Sequence, residues 1–89
     1  MVLSDVDNFN VQVGQSVLAM ITSAANSSWP LDVEIKDLDA AGLTSSSIVR
    51  MKLFTLDDQL ILRKVGVLSE YDSQQVDLTV RKLLGFKGL

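Results

Sequence analysis

The chain of 89 residues contains neither cysteine nor histidine. The absence of cysteine excludes disulfides and thiolate metal sites, and it is consistent with a reducing, cytoplasmic location. Without histidine the chain lacks the usual general acid–base and the commonest metal ligand. Any chemistry must therefore use hydroxyl, carboxylate, phenol, ammonium or guanidinium groups, and we expect neither a metal nor another cofactor.

Long apolar runs and a basic N-terminal start are also missing. No stretch is long and apolar enough to span a membrane. The N-terminus does not have the pattern of a signal peptide. Because 47% of the residues are apolar, a packed core is expected rather than disorder. The length suffices for a single domain, residues 1–89, which a dimer would help to stabilise.

Positive charge is absent from the first part of the chain. Residues 1–35 contain no lysine or arginine, and all eight basic residues lie from Lys36 onward. The net charge of −3 argues mildly against nucleic-acid binding. The uneven distribution leaves two interpretations open: a local positive face on the second half, or ordinary solvated side chains.

Apolar patterning predicts several short strands. Residues 16–22 form a compact apolar run between turn-forming residues, which predicts a buried strand. Residues 31–35 alternate strictly, as a half-buried strand does. Residues 48–54 predict another strand, whose polar members Arg50 and Lys52 share one face.

Less regular segments surround these strands. Residues 2–4 are typical of the end of a strand, and 5–15 predict a loop with a short extended piece at 9–13. Asp57 and Asp58 are suited to capping a short helical turn. Residues 60–68 predict a last strand, with Gly66 at a bulge or turn.

A C-terminal helix has the strongest local signals. Ser69 and Asp72 match a capping box, Asp77 and Arg81 are spaced to pair across one turn, and Gly85 suits the end of the helix. The apolar residues at helical spacing are Val76, Val80, Leu83 and Leu84. Short strands followed by one amphipathic helix predict a mostly β domain of the α+β class.

The order of several segments resembles the MazF/PemK toxin family. Residues 17–23 (VLAMITS) are similar to its V-x-x-x-I-T-S strand. Further similar segments are 2–5 with 9–10, 29–35, 42–43, 47–57 (ending in Thr-Leu-Asp), 65–69 (VGVLS) and 76–77. Each segment is weak alone, but together they cover nearly the whole chain in the family's order.

This resemblance implies a small SH3-like, CcdB-like β-barrel with a C-terminal amphipathic helix. It also implies a homodimer whose groove binds single-stranded RNA, and an antitoxin protein that occupies the same groove. The implied activity is metal-independent endoribonuclease cleavage, in which the 2′-hydroxyl of the RNA attacks the adjacent phosphate.

One departure from the family pattern concerns the N-terminal part. In the family, a strand, a loop and an Arg-Pro pair precede the stretch that begins here at Met1, and that arginine is the main catalytic residue. The resemblance therefore implies an N-terminally truncated member. The alternative function is a catalytically inactive homologue that binds an antitoxin or a partner toxin subunit.

The resemblance also implies functional residues at the end of the strand 16–22. Thr22 matches the family's catalytic hydroxyl, which hydrogen-bonds the scissile phosphate; the alternative is a β-branched strand residue whose hydroxyl bonds the backbone. Ser23 either contacts phosphate in the RNA or turns the chain.

Cationic and aromatic candidates lie further along the chain. Arg50 and Lys52 are candidate RNA-binding residues that hold phosphates; the alternative is the solvent face of a strand. The alignment register of Arg50, Met51 and Lys52 with the family remains open. Trp29 either stacks on a base or, as we expect, packs against Pro30 and the barrel. Asp57 and Asp58 are expected to be caps rather than a catalytic pair.

Overall fold

A three-stranded antiparallel sheet is the central element of the computed structural model, which describes residues 1–86. Its strands are β1 (Gln15–Ser23), β2 (Val33–Glu34) and β3 (Ser47–Asp57), in the spatial order β1–β3–β2. A π-helical turn (Val6–Asn10) and α1 (Val11–Val13) precede β1, a 3₁₀ turn (Asp58–Leu60) follows β3, and α2 (Glu70–Leu84) comes last. The predicted mostly β, α+β class with a C-terminal helix is confirmed.

The long pair of β1 and β3 contains an irregularity at its middle. Met20 lies opposite Arg50, whereas the preceding residue Ala19 lies opposite Leu53. Strand β3 therefore carries the extra residues 51–52, which have no partner on β1. Such bulges bend a strand and re-aim its side chains. This one lies next to the candidate cations of the sequence analysis.

The other edge of β1 pairs with the N-terminal residues. Val2 forms an isolated antiparallel bridge with Leu18, and the Leu3 N–H donates to the Val17 carbonyl oxygen at 2.8 Å. The strand-like backbone predicted for residues 2–4 is thus confirmed at Val2.

The core lies between one face of the sheet and α2. Val49 on β3 is fully buried, and Val76 on α2 is 1% exposed. Ala19, Met51, Ile35 and Ala41 complete this cluster. Burial of these apolar groups supplies the main drive for packing the helix on the sheet.

Helix α2 has the predicted ends. The Ser69 hydroxyl accepts the N–H of Asp72 at 3.1 Å, and Gly85 adopts a left-handed conformation (φ 78°) just past the last helical residue. Arg81 Nε lies 3.2 Å from Asp77 Oδ2, as predicted. Half of the capping box differs, because the Asp72 carboxylate accepts backbone N–H groups of residues 36–37. None of the helices within residues 1–86 combines the length and hydropathy needed to cross a bilayer.

Three predicted elements differ from the structure. The strand predicted over 60–68 is wrong: beyond the 3₁₀ turn, residues 61–69 are irregular. Gly66 lies at neither a bulge nor a turn, but packs against the Ala41–Gly42 backbone, so the segment crosses another loop instead of joining the sheet. The extended piece predicted at 9–13 is helical, because Asp5 caps the turn by accepting the Asn8 N–H at 2.8 Å. The strand predicted over 31–35 is reduced to β2.

Candidate nucleic-acid interface

The sheet face opposite the core carries most of the predicted site residues. Directly opposed residues of an antiparallel pair point to the same face, and successive residues alternate. Thr22 lies opposite Ile48, and Arg50 lies opposite Met20, so all four share the face that Val49 does not. Diagonal neighbours such as Thr22 and Arg50 are separated by roughly 7–8 Å between Cα atoms. The sheet thus places a hydroxyl and a cation of the predicted site close together.

The loop of residues 24–32 covers part of this face and contacts Arg50. Arg50 Nε and Nη2 donate to the two carboxylate oxygens of Asp32 at 3.1 and 3.0 Å. Nη2 also donates to the Ser27 carbonyl oxygen at 2.6 Å. The hydrogen bonds from Arg50 hold the pKa of Asp32 below its ordinary value, against an opposing effect of burial. Arg50 is only 8% exposed, so its guanidinium is engaged within the protein.

Trp29 stands in a tight turn of the same loop. The Asp32 N–H donates to the Trp29 carbonyl oxygen at 3.3 Å, and the Trp29 N–H donates to Asp32 Oδ2 at 3.1 Å. The indole ring centre lies 5.7 Å from Arg50 Cζ and 5.7 Å from Lys52 Nζ. Both distances are within the range of cation–π contacts. The ring therefore lies against two cations of β3, and Trp29 as a residue remains 44% exposed.

Thr22 lies half-buried at the end of β1. Its Oγ1 accepts a hydrogen bond from Asn26 Nδ2 at 2.6 Å. A hydroxyl that accepts from an amide still has its own hydrogen to donate. Asn26 thus orients the Thr22 hydroxyl without using its donor capacity. The sequence analysis missed Asn26; its only signal is an amide side chain four residues after the threonine, in a polar loop.

Ser23 and Lys52 occupy different positions. Ser23 lies opposite Ser47 and alternates to the other side of the sheet, where its Oγ accepts the Ala25 N–H at 3.2 Å. This bond serves to turn the chain, and a contact to RNA stays a prediction. Lys52 is exposed, with its ammonium over the Trp29 ring. The structure therefore brings Thr22, Arg50 and Lys52 to one face and directs the Ser23 side chain to the other side of the sheet.

Of the two acidic candidates of the sequence analysis, Asp57 has the predicted capping role, and the Asp58 side chain does not cap the turn. Asp57 accepts the Gln59 N–H at 3.1 Å at the start of the 3₁₀ turn, as predicted. Asp58 accepts the Ser16 hydroxyl at 2.6 Å. Over residues 1–86, no group of three or more carboxylate side chains is arranged to hold a metal ion.

The fold and the sequence of this chain both have counterparts among known proteins. A sequence search finds no match among curated proteins. The fold is similar to that of the Mycobacterium tuberculosis toxin MazF-mt6, with a TM-score of 0.79 over 99% of this chain and 86% of that chain, at 15% identity. A profile of the family described as PemK-like, MazF-like toxin of type II toxin-antitoxin system matches residues 1–84. The resemblance seen in the sequence is thus confirmed, and the chain belongs to the PemK-like, MazF-like toxin family of type II toxin–antitoxin systems.

Proposed function

We propose that the protein acts as a toxin by cleaving single-stranded RNA without a metal ion. In this reaction the 2′-hydroxyl of the RNA loses its proton and its oxygen attacks the adjacent phosphorus, while the bond to the 5′-oxygen breaks and that oxygen takes up a proton. The products are a 2′,3′-cyclic phosphate and a 5′-hydroxyl, so no water or cofactor is consumed. The protein has to orient the attack and stabilise the charge that develops on the phosphate.

The Thr22 hydroxyl is the observation that carries this proposal. It is fixed from one side by the Asn26 amide, and its hydrogen is left to donate to a non-bridging phosphate oxygen. A preorganised donor of this kind is worth about 100- to 1,000-fold in rate, as for other oxyanion donors. Thr22 is therefore the proposed catalytic residue.

The two cations of the same face have different proposed roles. Lys52 is exposed and is assigned to a phosphate contact. Arg50, predicted from the sequence to bind RNA, is held by Asp32 and the Ser27 carbonyl, and is assigned to supporting the loop. Ser23, the last residue of β1, is assigned to a contact with a neighbouring phosphate.

The family implies a protein partner as well as RNA. We assign an antitoxin as the partner and the cytoplasm as the location, and we assign a homodimer as the functional state. The acidic balance of the chain, with a net charge of −3, makes binding depend on local cations such as Lys52 rather than on overall charge.

The experiment incubates the purified protein with a long single-stranded RNA in EDTA and analyses the new end groups. Wild type is expected to give cyclic phosphate and 5′-hydroxyl ends. Thr22→Ala is expected to lose about 100-fold or more in rate, whereas Thr22→Ser, which keeps the hydroxyl, retains most of it. Thr55→Ala, at an exposed threonine of β3, serves as the matched control.

Equal rates for wild type and Thr22→Ala would overturn the role of Thr22. RNA that stays intact over a wide range of protein concentrations would overturn the nuclease and favour a second function, a toxin-family binding module. The observation in favour of that module is the irregular segment 61–65, in which Leu62 is 93% exposed. An exposed apolar segment of this kind is suited to cover by another chain.

A further inference from the structure

Trp29, the single tryptophan of the chain, is held at the surface by a strained turn. Two hydrogen bonds between Trp29 and Asp32 close the turn. Leu31, between them, has φ 64°, in the left-handed region that glycine favours. Backbone strain at a non-glycine residue persists only where the surroundings enforce it, and it concentrates at functional sites.

The side chains that support the indole ring are also held in place. Asp32 closes the turn that carries Trp29 and at the same time binds Arg50 through both carboxylate oxygens. The guanidinium, 5.7 Å from the ring centre, is therefore a rigid cationic base for the indole. A tryptophan whose ring is preorganised and that is still 44% exposed as a residue has surface left for a ligand.

The chemistry around the ring indicates the class of ligand. The exposed Lys52 ammonium lies over the same ring, 5.7 Å from its centre, so an aromatic surface and a solvent-exposed cation are adjacent. A nucleotide presents a flat base and a phosphate at a comparable spacing, and single-strand binders combine these two contacts. Both groups lie on the sheet face that carries Thr22.

We propose that Trp29 and Lys52 form a nucleotide subsite, in which one base of the RNA stacks on the indole and its phosphate contacts the ammonium. This inference rests on the proposed function and adds a subsite next to the cleavage site. Arg50 and Asp32 are positioning residues in this arrangement. Stacking accepts any base, so the subsite contributes affinity rather than sequence preference.

The test uses the single tryptophan as its own probe. A 2′-O-methyl copy of a cleaved RNA lacks the attacking hydroxyl and stays intact. At concentrations at which it inhibits cleavage, it is expected to quench Trp29 fluorescence. An abasic nucleotide at one position of this copy should abolish the quenching and weaken binding by roughly 10-fold, while abasic nucleotides at distant positions leave both unchanged.

Variants test the same subsite through kinetics on ordinary RNA. Trp29→Ala is expected to raise KM by roughly 10-fold with kcat little changed, and Trp29→Phe to restore most of the binding. Phe9→Ala, at an exposed aromatic outside this face, is the matched control. The abasic series leaves the protein unaltered, so misfolding of a variant does not affect that arm.

The two proposals fail in different ways. If wild type cleaves RNA while Trp29 fluorescence and the Trp29→Ala KM stay unchanged, the subsite is wrong and the nuclease stands. If wild type leaves RNA intact, the proposed function is wrong and the subsite falls with it.

Discussion

At the scale of single residues, Asp72 links the helix to the rest of the fold. It is 1% exposed, and its carboxylate accepts the Lys36 N–H at 3.0 and 3.1 Å and the Asp37 N–H at 2.9 Å. Burial, the largest single effect, raises the pKa of Asp72, but the backbone donors and the Ser69 hydroxyl together outweigh it and hold the pKa below its ordinary value. The ionised carboxylate is therefore the form that the fold stabilises.

We expect Asp72→Asn to lower the free energy of unfolding by about 2 kcal/mol at pH 7, because an amide offers one acceptor oxygen where the carboxylate offers two. In wild type, the stabilisation by Asp72 is complete above the unfolded pKa of about 4 and is lost as pH falls through the lower folded pKa. The difference in the free energy of unfolding between wild type and Asp72→Asn should therefore become smaller below about pH 4. Urea unfolding of both proteins from pH 7 to 2 measures this difference.

The exposed Asp7→Asn substitution is the control for the removal of one negative charge. We expect it to leave the free energy of unfolding nearly unchanged at pH 7. If the difference in the free energy of unfolding between wild type and Asp72→Asn stayed constant down to pH 2, the role of the ionised carboxylate would be contradicted.

Which residues share the candidate site could be predicted only in part. The period of two in strands placed Arg50 and Lys52 on one face, and the resemblance of residues 17–23 to the family placed Thr22 at a strand end. The partners of these residues, Asn26 and Asp32, depend on how the loop 24–32 folds back. No local pattern encodes a contact between residues 18 positions apart, such as Arg50 and Asp32.

At the scale of elements, local sequence signals were sufficient to predict an element that makes its hydrogen bonds within itself. Helix α2 has its N-cap at Ser69 and its terminator at Gly85, both within the predicted segment. The segment 60–68 has the composition of a strand, but a strand needs a neighbour for its ladder. Here the Val67 N–H donates to the Ala40 carbonyl oxygen at 2.9 Å, in a loop crossing that depends on close backbone approach at Gly42 and Gly66.

Gly42 and Gly14 provide a matched test of this crossing, because both have φ 70°. A Cβ at Gly42 would lie 2.0 Å from the Val65 carbonyl oxygen, whereas a Cβ at Gly14 meets nothing within 4 Å. We expect Gly14→Ala to lower the free energy of unfolding by about 1 kcal/mol, because alanine is strained in the left-handed region. Gly42→Ala should lower the free energy of unfolding by at least about 3 kcal/mol more, since the backbone at Val65 must move to make room for the Cβ. Thermal unfolding followed by circular dichroism compares them, and equal losses would contradict the crossing.

At the scale of the whole molecule, one stretch of exposed apolar surface follows β3. Large apolar residues with substantial exposure in this stretch are Leu60, Ile61, Leu62, Val65 and Val67. A small domain gains stability when another chain covers such a surface. The segment 61–65 thus supports the proposed homodimer on physical grounds that are independent of the family.

We therefore expect the wild-type protein to sediment with twice the mass of one chain, and Leu62→Glu to sediment as a monomer at the same concentration. A carboxylate at the 93% exposed Leu62 costs little in the monomer but is unfavourable once a second chain removes it from water. Val11→Glu, at a valine that is 71% exposed on α1, adds the same charge elsewhere and should leave the dimer intact. Sedimentation equilibrium at several concentrations measures all three. A wild-type monomer at every concentration, or a Leu62→Glu dimer as stable as wild type, would show that this segment is not the dimer contact.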